Sequence, residues 1–319
     1  MLQFLLKRFI GLIFVVICVT FITFILGYFA PGDPIQALLG QHYDPVIYAQ
    51  LKHQYGLDLP WYEQYLKYLA GLFRLDFGLS FHYQGEPVWD ILKQGVPVSA
   101  ELGLWGLLLT VLVGIPLGIY SALKANTWVD STSMGSALIL YALPPFILAV
   151  FFQVLIVWID QTTGAQWPVS NWGTPWQYTW ADLSYKLGPI FVYSAISSAY
   201  FARLARTSML EVLRQDYVRT ARAKGLVERI VIYRHAFRNA LIPLVTVIGL
   251  SIGLLVVGIF FIEQIFNIPG IGSVSLQAIS DRDYPVIQAT TVLLAVAVVI
   301  GNLIADVLYT LIDPRIKTN

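Results

Sequence analysis

The sequence predicts an all-α integral membrane protein with six transmembrane helices. Three observations carry that prediction. Of 319 residues, 57% are hydrophobic and only 12% are charged, about half the charge density of a soluble domain. Uncharged runs long enough to cross a bilayer recur along the chain. Lysine and arginine crowd onto alternate connecting segments, the asymmetry that orients membrane proteins.

A spanning helix needs about 20 mostly apolar residues. Between consecutive charged residues lie the stretches 9–32, 102–123, 131–159, 187–202, 239–262 and 284–305. The fourth is the shortest. It is expected to continue through Arg203 toward Thr207, with the arginine snorkelling to the interface or facing protein. The first run, FIGLIFVVICVTFITFILGYF, is longer than the apolar part of a secretory signal and is expected to be an uncleaved anchor.

Six spans put both termini on one side. That side receives fourteen lysines and arginines against six, and six acidic residues against thirteen. The termini and the basic segment are therefore expected in the cytoplasm. The organisation that follows is residues 1–30, a cytoplasmic start and first span; 31–98, an external helical segment; and 99–319, a core of five spans with a cytoplasmic loop at about 208–239. Net charge is +1, so partners must be sought in the distribution of charge. The single cysteine, Cys18, lies in an apolar run and forms no intramolecular disulfide.

Outside the spans, Tyr62, Tyr65, Leu66, Leu69 and Leu72 recur at helical spacing, which predicts an amphipathic helix on the membrane or on the spans. Trp167, Trp172, Trp176 and Trp180 are expected as a headgroup-level belt. Residues 263–285 are expected to fold back into the outer face, where Glu263, Asn267, Pro269 and Gly270 are candidates for a pathway lining or gate.

Catalytic and metal motifs are missing. The chain has no G-x-x-x-x-G-K-[ST], no H-E-x-x-H and no G-x-S-x-G, and its four histidines are scattered. No catalytic residue and no metal ligand is therefore assigned. No carboxylate falls in the middle of a predicted span, which disfavours a proton-coupled carrier. Asp306, toward the cytoplasmic end of the sixth span, is expected in a structural ion pair with Arg203 or Arg206. Energy would then come from another subunit, through the basic segment.

That segment, DYVRTARAKGLVERIVIYRHAFRN, holds six arginines and lysines in 24 residues. Met209, Leu210, Leu213, Tyr217 and Ala221 trace a helical stripe, and Gly225 after Lys224 reads as a helix stop. Basic residues in the last turn suit the helix dipole. The expectation is helix, glycine turn, helix, with small Ala221 and Ala223 letting a partner approach.

Here the sequence resembles the membrane permease subunits of ABC importers, whose cytoplasmic loop carries Glu-Ala-Ala, three residues, then Gly. Ala221 and Gly225 match that frame, while Arg219 and Thr220 depart from it. The departures resemble the dipeptide/oligopeptide/nickel branch, typified by YVRTARAKG followed by RHAxRNALIP. LLKRF, APGDP, DFGLSF, PVSAELG, ALKANTWVD, SMLEVL, IEQIFNIPGIG, DRDYPVIQA and DVLYTLIDPRI extend the resemblance along most of the chain. Within the branch they are most similar to the oligopeptide member, with dipeptide and nickel permeases as near competitors.

The resemblance implies the type I importer permease fold in a bacterial inner membrane. It implies a homologous second permease, two ATPase subunits holding ATP and magnesium, and an extracytoplasmic peptide-binding protein. The chain itself would be non-catalytic and cofactor-free, with membrane lipid around it, peptide as cargo and no nucleic-acid partner. By the same resemblance Asp216, Tyr217, Arg219, Thr220, Ala221, Ala223, Lys224, Gly225 and Leu226 form the ATPase-coupling helix. Segments 31–98 and 264–285 would meet the binding protein or line the mouth of the pathway. A self-sufficient channel or secondary carrier is the remote alternative.

Overall fold

A computed structural model describes residues 2–30, 32–39, 44–83, 85–254 and 259–312, with side chains at all of these except 2–9, 37, 254 and 305–312. Among the described residues there are helices and a single antiparallel bridge, Leu79 to Pro87, but no strand. In chain order come α1 (Leu2–Tyr28), α2 (Pro34–Leu39), α3 (Pro45–Gln54), α4 (Trp61–Leu72), α5 (Val88–Leu123), α6 (Trp128–Ala142) and α7 (Pro145–Thr163). Then follow α8 (Trp180–Leu213), α9 (Asp216–Ala223) and α10 (Glu228–Ile230), which runs through a π-helical stretch, Val231–Phe237, into α11 (Arg238–Leu254). The last three are α12 (Phe260–Ile265), α13 (Ile271–Asp281) and α14 (Tyr284–Ile312).

Five helical segments among the described residues are long and apolar enough to cross a membrane: Ile10–Tyr28, Val88–Leu123, Pro145–Thr163, Glu228–Gly253 and Tyr284–Ile304. Two predicted spans look different. The stretch 131–159 is two helices, because Pro144 and Pro145 interrupt it. Proline lacks a donor and clashes with the preceding turn, but is well placed at the start of the next helix, where Pro145 sits. The stretch 187–202 lies within α8, which is long but rich in small and hydroxylated residues. Val192, Ser194, Ser198, Ala199, Phe201, Ala202 and Ala205 are buried there against protein rather than exposed for lipid.

The centre of the bundle is α5 on α8. Small residues let the two backbones approach: a methyl at Gly114 would lie 2.8 Å from the Ser198 carbonyl, and Gly118 faces the Ala202 carbonyl at least as closely. Leu107, Ile115, Phe201, Ala205 and Leu244 fill the space beside them and bring in α11. A second close pair is α11 on α14, where a methyl at Gly253 would fall 2.9 Å from the Gly301 Cα. Dispersion and close packing, not water exclusion alone, hold such contacts in a membrane.

The segment between α1 and α5 folds onto one end of this bundle. Tyr65 of α4 packs edge-on to Phe21 of α1 and donates to the Ile17 carbonyl at 3.2 Å, whereas Tyr62 and Leu66 of the same helix stay exposed. Buried Asp283, just before α14, accepts from Ser80 Oγ, from Phe81 N at 3.1 Å and from His82 N at 3.2 Å. One carboxylate thus ties the segment to the last helix.

Candidate functional site

The basic loop is built as a short exposed helix held from one side. α8 stops at Leu213, and α9 begins after the Arg214–Gln215 bend. Val218 and Ala221 are the buried residues of α9, packed on Val212, Leu213 and Val231. Asp216 lies in its first turn and Arg222 in its last, matching the helix dipole at both ends. Gly225 takes φ +76°. Its N–H donates to the Arg222 carbonyl at 2.9 Å and that of Leu226 to the Ala221 carbonyl at 3.4 Å. This is the Schellman pair of bonds that ends a helix at a left-handed residue.

Of the nine residues expected to form the handle, Asp216, Tyr217, Arg219, Thr220, Ala223, Lys224, Gly225 and Leu226 are exposed. Ala221 is not: it faces its own chain, so the small residue open to a partner is Ala223. Tyr217 is on the open face too, where its hydroxyl accepts from Asn239 Nδ2 at 2.7 Å, and the residue of the stripe that packs inward is Val218. Arg222 meets Glu228 across the turn at 2.7 Å. Leu226, Val227, Ile230 and Tyr233 add exposed apolar surface beside these charges.

At the opposite end, Glu263 of α12 is buried. Its carboxylate accepts from Ser99 Oγ at 2.7 Å, Ile259 N at 3.1 Å and Ser273 N at 3.0 Å. The Ser99 hydroxyl in turn accepts from Ile271 N at 2.8 Å. Gly270 lies against this carboxylate with no room for a Cβ. Asn267, with φ +49°, and Pro269 are exposed on the loop between α12 and α13. The four residues therefore form one tight turn in which Glu263 holds backbone.

Two charge clusters were not expected. Glu101, placed by sequence at the edge of a span, lies well inside α5 and meets Lys186 of α8 at 2.8 Å, with both side chains buried. The lysine also donates to the Thr174 carbonyl at 2.8 Å and the Gln177 carbonyl at 2.7 Å. Glu101 accepts further from Trp172 Nε1 and from Trp176 N, each at 2.9 Å. Trp172 is thus no belt residue. It is buried among Val98, Leu102, Ala149, Val192, Ile262 and Phe266, while Trp167, Trp176 and Trp180 keep exposed faces. At the basic end, Arg206 grips Asp130 with Nε at 2.6 Å and Nη2 at 2.7 Å, and Arg203 lies 4.6 Å from the Tyr141 ring centre. The Asp306 side chain, the expected partner of these arginines, lies outside the described residues; the carboxylate bound to Arg206 is that of Asp130. Among the described residues no group of three His, Cys, Asp or Glu side chains is placed to hold a metal.

Residues 114–318 match the family described as binding-protein-dependent transport system inner membrane component, and residues 1–103 match its membrane component N-terminal family. The chain belongs to this family. As an inner-membrane transport component it is a multi-pass membrane protein, in keeping with its apolar helices. It is 37% identical over 317 residues to the dipeptide transport system permease protein DppB of Bacillus subtilis, covering 99% of this chain and 98% of that one. It is 36% identical over 321 residues to the oligopeptide transport system permease protein AppB of the same organism, covering 99% and 100%. The glutathione transport system permease protein GsiC of Shigella flexneri is 36% identical over 321 residues, with 99% of each chain covered.

The signals for the missed clusters were faint. Lys186 is a solitary lysine between a tryptophan-rich loop and an apolar run, and Glu101 a solitary carboxylate between apolar stretches. Such isolated charges call for partners. Periodicity does not say which.

Proposed function

We propose that this chain is one of the permease subunits of an ATP-driven importer that brings peptides into the cytoplasm, and that α9 is its handle for an ATPase subunit. The observation that carries the reading is the construction of α9. It is a solvent-exposed helix, gripped by Val218 and Ala221 and closed by Gly225, inside a chain otherwise built for lipid. A rigid projection of this kind can be pushed or pulled without unfolding, and its outward face offers Arg219, Lys224 and the apolar rim from Leu226 to Tyr233.

In this reading α8 is the fourth of six spans, and both termini and α9 lie in the cytoplasm. ATP and magnesium belong to two ATPase subunits, and a second permease completes the pathway. Closure of the ATPase subunits moves α9, which packs on the end of α8 and on Val231 of the π-helical stretch, and α8 and α11 change their relative positions. Such a switch needs a bistable interface that partners bias differently. An extracytoplasmic peptide-binding protein delivers cargo near residues 31–98 and the loop after α12, where Glu263, Asn267, Pro269 and Gly270 act as a gate support. Asp306 near Arg203 and Arg206 remains the proposed structural charge at the cytoplasmic end.

Peptide cargo is supported by the names of the relatives. We assign oligopeptides, and a second reading, dipeptides, rests on relatives named for dipeptide transport. Nickel is the remaining branch cargo. Uptake of labelled alanine peptides of two to five residues, beside radioactive nickel, by cells whose other peptide importers are deleted tests all three. Uptake of the longer peptides, lost when a partner ATPase cannot hydrolyse ATP, is the expected result. ATP-independent flux through this chain alone would refute the reading.

A further inference from the structure

We propose that the Asp130–Arg206 pair is a positioning element that makes α5, α6 and α8 move as one body when α9 is displaced; the inference rests on α9 being the ATPase handle. The Asp130 carboxylate, 4% exposed, collects donors from three places. Arg206 of α8 supplies Nε at 2.6 Å and Nη2 at 2.7 Å, Ser121 near the end of α5 supplies Oγ at 2.5 Å, and Asn126 of the connecting turn supplies its N–H at 3.0 Å. Asp130 itself opens α6.

The location matters. Arg206 stands seven residues before the end of α8 at Leu213, about 10 Å of helix at 1.5 Å per residue, and α9 follows three residues later. A displacement of α9 carried along α8 therefore meets this pair within its last two turns. A bidentate guanidinium–carboxylate fork fixes distance and angle together. Apolar surfaces of small side chains can slide; a fork carrying two further donors cannot, short of breaking.

The contrast lies on the other side of α8. Toward α11 and the π-helical stretch it presents Met209 against Ala236 and Ala240, and Phe201 and Ala205 against Leu244. That surface is apolar and carries no charged contact among these residues, suited to the small sliding of packed helices that underlies shear motion. The basic end thus joins α8 to α5 and α6 through a charged knot and to α11 through a smooth contact. Force on α9 is resolved into movement of α5, α6 and α8 against α11.

The test uses the complete transporter, purified with its partner subunits and reconstituted in liposomes, with trialanine as cargo. Trialanine carried per ATP hydrolysed is the readout, since a purely structural role would lower both quantities together. Asp130→Asn is expected to keep stimulated ATP hydrolysis within twofold of wild type and to lower the ratio at least tenfold. An unchanged ratio, or parallel loss of both in a normally assembled transporter, overturns the inference. Should Asp130→Asn fail to assemble, Arg206→Lys decides: it keeps the charge and loses the fork. A threefold lower ratio supports the inference and a wild-type ratio overturns it. Gly225→Val, measured alongside, separates the two readings. If it stays coupled, the role of α9 falls, and this inference with it. If it uncouples while Asp130→Asn and Arg206→Lys do not, only the present inference falls.

Discussion

Lys186 and Glu101 meet at 2.8 Å inside the bundle, 85 residues apart in sequence, with neither side chain reaching solvent. The pair joins α5 to α8 and, through the Thr174 and Gln177 carbonyls and Trp172, seats the loop between α7 and α8. Buried charges are tolerated only when paired and hydrogen-bonded, a condition met here by three donors on the carboxylate and three acceptors on the ammonium.

Removing one partner should leave the other charge uncompensated, at a cost of about 3–5 kcal/mol. Glu101→Gln and Lys186→Met are each expected to lower the thermal midpoint of the solubilised transporter by several degrees. The double variant should recover at least half of the loss, because the glutamine carbonyl still accepts from Trp172 Nε1. Additive losses would contradict the pairing.

Gly225 is required by its backbone and not by space. Its φ is +76°, and a Cβ there would touch nothing within 4 Å. Gly225→Asn, which tolerates the left-handed region, should transport at no less than half the wild-type rate. Gly225→Val should abolish transport while the chain still inserts, because a β-branched residue is a strong outlier at that φ. Cellular uptake beside membrane abundance distinguishes the two outcomes.

Glu263 accepts from a hydroxyl and from backbone donors of its own loop, so the acid rather than the amide is needed. Glu263→Gln turns an NH₂ toward donors and should cost about 1–3 kcal/mol, the scale of a buried unsatisfied group. Ser99→Ala removes one partner and should cost less. Relative uptake of peptides of different length should stay the same in whatever transport remains. A change in that preference would place Glu263 in contact with cargo.

The exposed pair Arg222–Glu228 should matter little. The Arg222 guanidinium holds the Glu228 carboxyl below its ordinary range. A depressed carboxylate pKa contributes above the unfolded value, about 4.3, and its contribution is lost only as pH falls through the folded one. Coupling should therefore be flat between pH 6 and 8 as far as this pair is concerned. Glu228→Gln should change transport less than twofold, since exposed pairs contribute about 0–1 kcal/mol.

What could be read from sequence was local. Long apolar runs marked the helices, and the Lys224–Gly225 step marked the end of α9, because helix length and left-handed backbone leave signatures within a few residues. The break at Pro144 was also local, but it was hidden by counting only charges across 131–159. Contacts distant in sequence had no such signature. The Asp130–Arg206 and Glu101–Lys186 pairs are set by how α8 packs on α6 and on α5, and Trp172 was misplaced because tryptophan suits both a headgroup and a core. α8 itself defied the apolar-run criterion, since a helix surrounded by protein need not be uniformly greasy.

The most direct test of α9 as the handle is site-specific photo-crosslinking from its exposed face in intact cells. A photoreactive amino acid in place of Lys224 should trap an ATPase subunit, in a yield that changes when ATP hydrolysis is blocked, and one in place of exposed Trp180 should not. Labelling of lipid alone from position 224, or equal capture from both positions, would contradict it.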